Sequence, residues 1–525
     1  MFAYIKNTTA KVLKQGIGST SYNNVTAIQA DRRESTNFGM ICLLAAALLI
    51  SAMLMGCGGA STSVAASSSS ETKPTISVQP ASSAIQAYQN LQLSVSGSTG
   101  DSACTWQVAQ SSVLTNLGNG TFQGGQPGTT QVTATCGTLS AVASVVVAAQ
   151  QPSGPIVITS GGTYSGDWNS TDPNTPAVTI NTDAAVTIQN STINSQGTLI
   201  ALQGAKTGAN VTIENVTATA LDPGVSGKQR GTFVAATNTT SLIVKNCTIN
   251  GASFGIKVTG GTPTTLQIEN NLANNLEDRA SDGNGGFFAS RPVLGHFVLL
   301  NNVSALSGAE IAWNKVVQKI GLSSTEDVIN IYESQGTAGH PISVHDNYME
   351  GSSSPVGGNY TGTALITDGA PTGDSQVTAF VEFKANEIVA TAGTGVGIAA
   401  GHDIQATGNR VVSCGMNSAG NWYAFGASAT VIWNYYGSKQ FYNNSISGTD
   451  GGMVGPGPKS KPTAYDTWVN SSDVSDPGVS ISGNNFTDPC LVGGAVNLQA
   501  EDAERAYWAS KIAAADQLIG DQHSN

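Results

Sequence analysis

The sequence predicts an all-β protein: a small sandwich, then a long solenoid of stacked short strands, then a C-terminal helix. Three observations predict it. Of 525 residues only 11% are charged and 6% aromatic, while 61 are glycine. Ser, Thr, Asn and Val are plentiful, a mixture suited to strands and turns. A phrase of eight residues recurs ten times, with its first and third positions usually apolar and asparagine at the fifth, the sixth or both. Its starts lie 23 to 45 residues apart, the scale of a repeat that must stack on its neighbours to bury a core.

The first feature along the chain is an address. The run "ICLLAAALLISAMLM" (41–55) is apolar but too short to span a bilayer comfortably, and Arg32 and Arg33 precede it. It ends in "LMGC" (54–57), with small Gly56 ahead of thiol-bearing Cys57. This pattern resembles the bacterial lipobox. The resemblance implies a lipoprotein signal peptide over 1–57, lipid modification of Cys57, and membrane attachment through that anchor. Gly58 and Gly59 follow with no aspartate, which by the same resemblance implies an outer-membrane lipoprotein, periplasmic or cell-surface. An ordinary signal peptide or anchor helix is the competing reading. Residues 58–73, "GGASTSVAASSSSETK", are a Ser-rich flexible linker. The formal net charge is -12, and residues 1–56 hold five Lys/Arg and two Asp/Glu, so the processed chain carries -15. An acidic body argues against nucleic acid as a partner, and makes a polyanion depend on a local basic patch or a bridging cation.

Over 74–149, the runs "TISV", "LQLSVS", "CTWQV", "TQVTATC" and "AVASVVVA" are separated by turn residues, as in a β-sandwich. The opening "ISVQPASSAIQAYQNLQLSVS", Trp106 and the closing "QVTATCGTLSAVASVVV" resemble bacterial immunoglobulin-like domains of cell-surface proteins. That resemblance implies a spacer with Trp106 in its core. Of seven cysteines, Cys42 and Cys57 belong to the signal. Cys104 and Cys136 can pair in an oxidising compartment, and closing their loop contributes roughly 3–4 kcal/mol on the chain-entropy treatment. Cys247, Cys414 and Cys490 are scattered without metal-ligand spacing and are expected as buried apolar residues. "QQPSGP" (150–155) is the next linker.

The remaining body carries the repeat: "VTIQNSTI" (186–193), "VTIENVTA" (211–218), "LIVKNCTI" (242–249), "LQIENNLA" (266–273) and "FVLLNNVS" (297–304). It continues with "ISVHDNYM" (342–349), "VEFKANEI" (381–388), "IQATGNRV" (404–411), "KQFYNNSI" (439–446) and "VSISGNNF" (479–486). Alternation at the first and third positions marks a strand with one buried face. The asparagine marks a bend, because Asn tolerates the left-handed conformation. The shortest spacing suits one coil of three short strands, with loops making up the excess. The pattern resembles the right-handed parallel β-helix family, the fold of pectate-lyase-like proteins, over 156–496. That resemblance implies coils stacked about 4.8 Å apart and a column of asparagines bonded along the axis. A propeller would need more even spacing, and a second sandwich would not repeat asparagine in phase. Within the C-terminal segment 497–525, "NLQAEDAERAYWASKIAAADQLIG" (497–520) reads as a helix with Trp508, Ile512, Ala515 and Ile519 on one stripe, packing on the last coil or the solenoid's side.

The β-helix resemblance also implies a ligand groove along one sheet, walled by loops from long coils, with polysaccharide as the partner. The long gaps run from Asn302 to Asn386. "FGIKVTG" around Lys257, "EDVINIYE" (326–333) and "GTALITDG" (362–369) are expected to stack across coils, with Ile329 and Ile331 inward and Asn330 outward. Three chemistries fit. A lyase needs a base and a cation to neutralise a uronate; Lys257, Arg279, Lys384 and Arg410 are the cationic candidates. A glycoside hydrolase needs two carboxylates roughly 5–9 Å apart, for which Asp327 with Glu333 or Asp368 is the pair. Sugar binding alone would use Trp422, Tyr423, Trp433, Tyr435 and Tyr436. "GHDI" (401–404) resembles the Gly-His-Gly of β-helix polygalacturonases, although aspartate replaces the second glycine and that family's paired aspartates are absent. The candidate catalytic residues are therefore Asp327, Glu333, Asp368 and His402. The substrate-binding candidates are Asn330, Lys257, Lys384 and Arg410. No cofactor is required by the sequence; calcium held by Asp327, Glu333 or Asp368 is the one candidate. The plain alternatives are solvated strand ends for Asp327 and Glu333, an exposed alternating residue for Lys257, and a turn position for His402.

Overall fold

A computed structural model describes residues 74–97, 103–203, 208–288, 294–320, 323–353, 361–369, 377–423, 428–469 and 476–522. The signal run, Cys57 and the Ser-rich linker lie outside the described residues. Among the described residues, no helix is long and apolar enough to cross a membrane. Ser82–Gln86, Leu139–Ala148, Gly128–Cys136 and Cys104–Val108 form one sheet of a sandwich, and Asn90–Gln92, Thr121–Gly124 and Leu114–Gly118 form another. Period-two alternation turns Val132, Ala134, Val145 and Val147 toward Leu93, Leu114 and Phe122. Trp106 is half-buried and meets Phe122 edge-on at 5.6 Å. Cys104 and Cys136 face each other on paired strands and form a disulfide.

From Pro152, whose short strand Pro152–Ser153 already pairs with Asp167–Ser170, the chain winds into a parallel β-helix. Among the described residues, a short stack holds 11 parallel strands, from Ile156–Ile158 to Thr467–Val469, and a long stack of 22 strands takes two from most coils. One coil shows the path. Thr239–Lys245 passes through a bend at Asn246 into Thr248–Asn250, both in the long stack. Ile256–Thr259 then crosses to the short stack, and Thr265–Glu269 returns to lie in register against Thr239–Lys245. The alternating apolar residues form rows along the axis, such as Val211, Leu242 and Leu266, all but inaccessible to water. Full burial of each such side chain contributes about 1.5–3 kcal/mol.

The bends have two chemical jobs at adjacent positions. At the first, the backbone is left-handed: Asn190, Asn215, Asn246, Asn270, Trp313, Asp346 and Ala385 have φ between 48° and 57°, and Gly408, Gly448 and Gly483 take the place in later coils. At the second, Asn271, Asn314, Asn347, Asn386 and Asn409 form a buried ladder. Each Oδ1 from Asn314 onward accepts the preceding asparagine's backbone N–H and Nδ2, at 2.9–3.1 Å.

Two of the ten phrases fall elsewhere. "FVLLNNVS" belongs to the short stack, where Val298–Asn301 pairs with Ile256–Thr259. The phrase that fills its place is "AEIAWNKV" (309–316), with Trp313 at the bend and Asn314 in the ladder. In "KQFYNNSI", Gln405 pairs with Ser445, so Asn443 stands beside Asp403, and that coil bends at Gly448. The cause is physical: asparagine serves left-handed corners at the ends of both stacks, as Asn238 and Asn302 do.

Helix α1 (Gln499–Ala514) lies on the flank of the solenoid. Trp508 is buried 5.1 Å from the Tyr348 ring, with Val389 and Ala390 beneath and Ile512 and Ile519 alongside. Lys511 Nζ reaches Asp346 Oδ1 and Ala385 O, both at 2.7 Å. The tail runs on across earlier coils: the Gly520 N–H donates to Asn270 O at 2.7 Å, and Thr217 Oγ1 donates to Asp521 Oδ2 at 2.5 Å. Cys414 and Cys490, expected as unpaired apolar residues, form a second disulfide; Cys247 is free and buried, as expected. Nothing local announces the pair, because the coils between them bring together cysteines 76 positions apart.

Candidate functional site

The three runs expected to stack do so on the outer face of the short stack, with Val298–Asn301 between the first two. Lys257, Leu299, Asn330 and Ile366 follow one another across successive coils. Ile329 and Ile331 point into the core and Asn330 points away from it, yet Asn330 is only 2% exposed. Its face is roofed rather than open to water.

At the upstream end of these strands, ionisable groups gather. His296 is 3% exposed. Its Nδ1 stands 3.1 Å from Asp327 O, and its Nε2 stands 3.5 Å from Glu326 Oε2. Asn330 Nδ2 donates to Asp327 Oδ2 at 2.9 Å. Asp278, also buried, accepts the Leu294 N–H at 2.8 Å. Burial is the first cause of every shift here, since it disfavours charge. It pushes the His296 imidazole down to about 3. It pushes Asp278 up to about 7, Asp327 to about 8 and Glu326 to about 10. Repulsion adds to burial, from Asp368 at Asp327 and from Asp327, Asp368 and Asp278 at Glu326.

Asp368 ends the neighbouring strand, in register with Tyr332. Its Oδ1 accepts the Tyr436 hydroxyl at 2.6 Å and the Gly369 N–H at 2.8 Å. Trp433, Tyr435 and Tyr436 form a chain of edge-on rings, 4.5 and 4.9 Å apart. Tyr435 and Tyr436 are more than a third exposed.

The structure thus brings Asp327, Asn330 and Asp368 onto one face, with Lys257 in the same row as Asn330 and its Nζ 4.7 Å above the Phe254 ring. Glu333 lies at the far end of its strand from Asp327; its N–H donates to Asp368 O at 3.1 Å. His402 belongs elsewhere. It opens a strand of the long stack, bonded to Asp403 at 2.7 Å and stacked on Tyr442 at 4.6 Å. Lys384 is exposed on the long stack and paired with Glu382. Arg410 is a fastener of α1: it bonds Glu504 at 2.6 Å and Asp450 at 2.5 Å, and its Nε stands 3.5 Å from Glu387 Oε1. Arg279 is taken by Glu277, and Trp422 packs on the buried Cys414, Val454 and Cys490 cluster. The calcium set is not assembled either. The nearest ligand-bearing neighbours of Asp327 are His296 and Glu326, not Glu333.

Sequence reasoning missed His296 and Asp278, and named Tyr436 only as a sugar-stacking ring, not as the partner of Asp368. A signal for His296 existed. Aligning "HFVLLN" with "DVINIY" sets His296 beside Asp327 and Leu299 beside Asn330, but assigning "FVLLNNVS" to the wrong stack hid it. The chain matches no protein-family model and no curated protein.

Proposed function

We propose that this is an exported lipoprotein of the outer membrane whose β-helix binds polysaccharide at the exposed, tyrosine-lined end of the short stack and cleaves its glycosidic links. The observation that carries the reading is Asp368, which accepts the Tyr436 hydroxyl beside exposed Tyr435 and lies on the same pair of strands whose opposite ends carry Asp327 and Glu326. Paired carboxylates are the usual apparatus of glycoside hydrolysis, and a carboxylate base beside a cation serves elimination. Asp368 stands at the tyrosine-lined end and accepts hydrogen bonds, which suits it to the base. The "LMGC" segment supports membrane attachment through Cys57, and the sandwich and Ser-rich linker suit a spacer.

Incubation of the purified protein with neutral and acidic polysaccharides tests this reading. New reducing ends alone mark hydrolysis, and ultraviolet absorbance of unsaturated uronates marks elimination. Asp368→Asn is expected to lower turnover by roughly a hundredfold or more; unchanged turnover would remove Asp368 from the reaction. A second reading, glycan binding without cleavage, is favoured by the exposure of Tyr435 and Tyr436, which suits stacking on pyranose faces. Retention on a polysaccharide column with no products would select it.

A further inference from the structure

His296, Glu326 and Asp327 each place one ligand atom within 4.8 Å of the others. Several features of this trio suit a metal better than a mere acidic patch. His296 Nδ1 lies 3.1 Å from the Asp327 carbonyl oxygen. A carbonyl only accepts, so the ring proton sits on Nδ1 and the Nε2 lone pair is left available. A backbone carbonyl fixing the tautomer in this way is a recurrent second layer around metal-binding histidines. The free Nε2 faces Glu326 Oε2 at 3.5 Å. Two ligands each about 2.1 Å from a tetrahedral ion stand about 3.4 Å apart, so an ion fits between them with little movement.

A second observation is independent of the trio. Asn330 is 2% exposed, its Nδ2 is engaged by Asp327, and its Oδ1 has no hydrogen-bond partner. A buried amide oxygen left without a partner carries a desolvation cost of about 1–3 kcal/mol, and a cation beside Asp327 would relieve it. The geometry points to a divalent transition-metal centre formed by His296 Nε2 and the carboxylates of Glu326 and Asp327, with Asn330 Oδ1 as a further oxygen donor. One nitrogen with two carboxylates suits zinc or manganese rather than calcium, which prefers oxygen alone. Glu326 is the most exposed of the three ligand side chains, at 17%, so the ion's open side lies toward that residue.

The inference concerns the same face as the proposed cleavage but does not depend on it, because ion binding is read directly. Full-length protein stripped with EDTA is titrated with Zn2+ by calorimetry and with Co2+ by visible absorption. The expected result is one equivalent per chain, a cobalt spectrum with nitrogen ligation, and displacement of Co2+ by Zn2+. His296→Ala and the near-isosteric Glu326→Gln are each expected to weaken binding at least tenfold. Asn330→Asp is expected to retain or tighten it, and His402→Ala to leave it unchanged. Circular dichroism confirms that each variant is folded, and the mild Glu326→Gln change serves if His296→Ala is not. Absence of a one-equivalent site, or binding indifferent to both ligand variants, would overturn the centre. Zinc binding without polysaccharide turnover would leave the centre standing and sink the cleavage reading; turnover in a protein that binds no metal would do the reverse.

Discussion

Asn347 has its whole side chain inside the protein, where each amide hydrogen and lone pair must find a protein partner. Its Oδ1 accepts two hydrogen bonds from Asn314, and its Nδ2 donates toward Ile311 O, His345 O and Asn386 Oδ1. Truncation strands the Asn314 amide, so Asn347→Ala is expected to cost about 1–3 kcal/mol in chemical denaturation. The half-buried Asn274, which makes a single bond to Asn250, should cost under about 1 kcal/mol on the same change. Equal losses would mean the ladder adds nothing beyond burial. One residue along, Ala385 holds φ at 50° without a polar side chain to support it. Ala385→Gly is expected to raise stability by roughly 0.5–1 kcal/mol, visible as a higher denaturation midpoint. The sequence disclosed asparagine bends at this scale but not their division of labour. Trp313, Asp346 and Ala385 occupy the left-handed position through tertiary support, which no local propensity reveals.

Helix α1 was legible as a stripe, and Trp508, Ile512 and Ile519 do face the solenoid. Its docking charges were not, because Arg410 and Glu504 lie 94 positions apart and meet only once the coils are stacked. Arg410 was consequently read as a sugar ligand. Arg410→Ala leaves Glu387, Asp450 and Glu504 facing one another, and is expected to destabilise the protein by about 2–3 kcal/mol; limited proteolysis should then cut first within α1. The contact also carries a pH dependence. Burial raises Glu501 to about 7, against the ordinary 4.5 of the unfolded chain. The folded state therefore holds this proton longer. Its contribution is complete below about pH 4.5 and is lost as pH rises toward 7. Hydrogen exchange in α1 should accelerate across that interval, and Glu501→Gln should flatten the profile. A profile unchanged by the substitution would place the titration elsewhere.

Across the whole molecule, architecture was far more legible than chemistry. Periodicity and bend residues report stacking, which is local and repeated. The His296, Glu326 and Asp327 cluster depends on which coil lies over which, and loops of unequal length conceal that register. The same unevenness marks the solenoid's far end. The asparagine ladder runs from Asn271 to Asn409 and does not pass straight to Asn484. Arg410 pairs with Asp450, so Thr449 stands in the column between them; its N–H donates to Asn484 while its own hydroxyl is buried without a partner. Here the protein has a seam. Cys414 lies before it and Cys490 beyond it, so their disulfide is a covalent stitch across a rung where amide continuity fails. With reductant present, the terminal laps should peel away ahead of the rest, splitting one melting transition into two. In oxidising surroundings the tube should give way as a single piece.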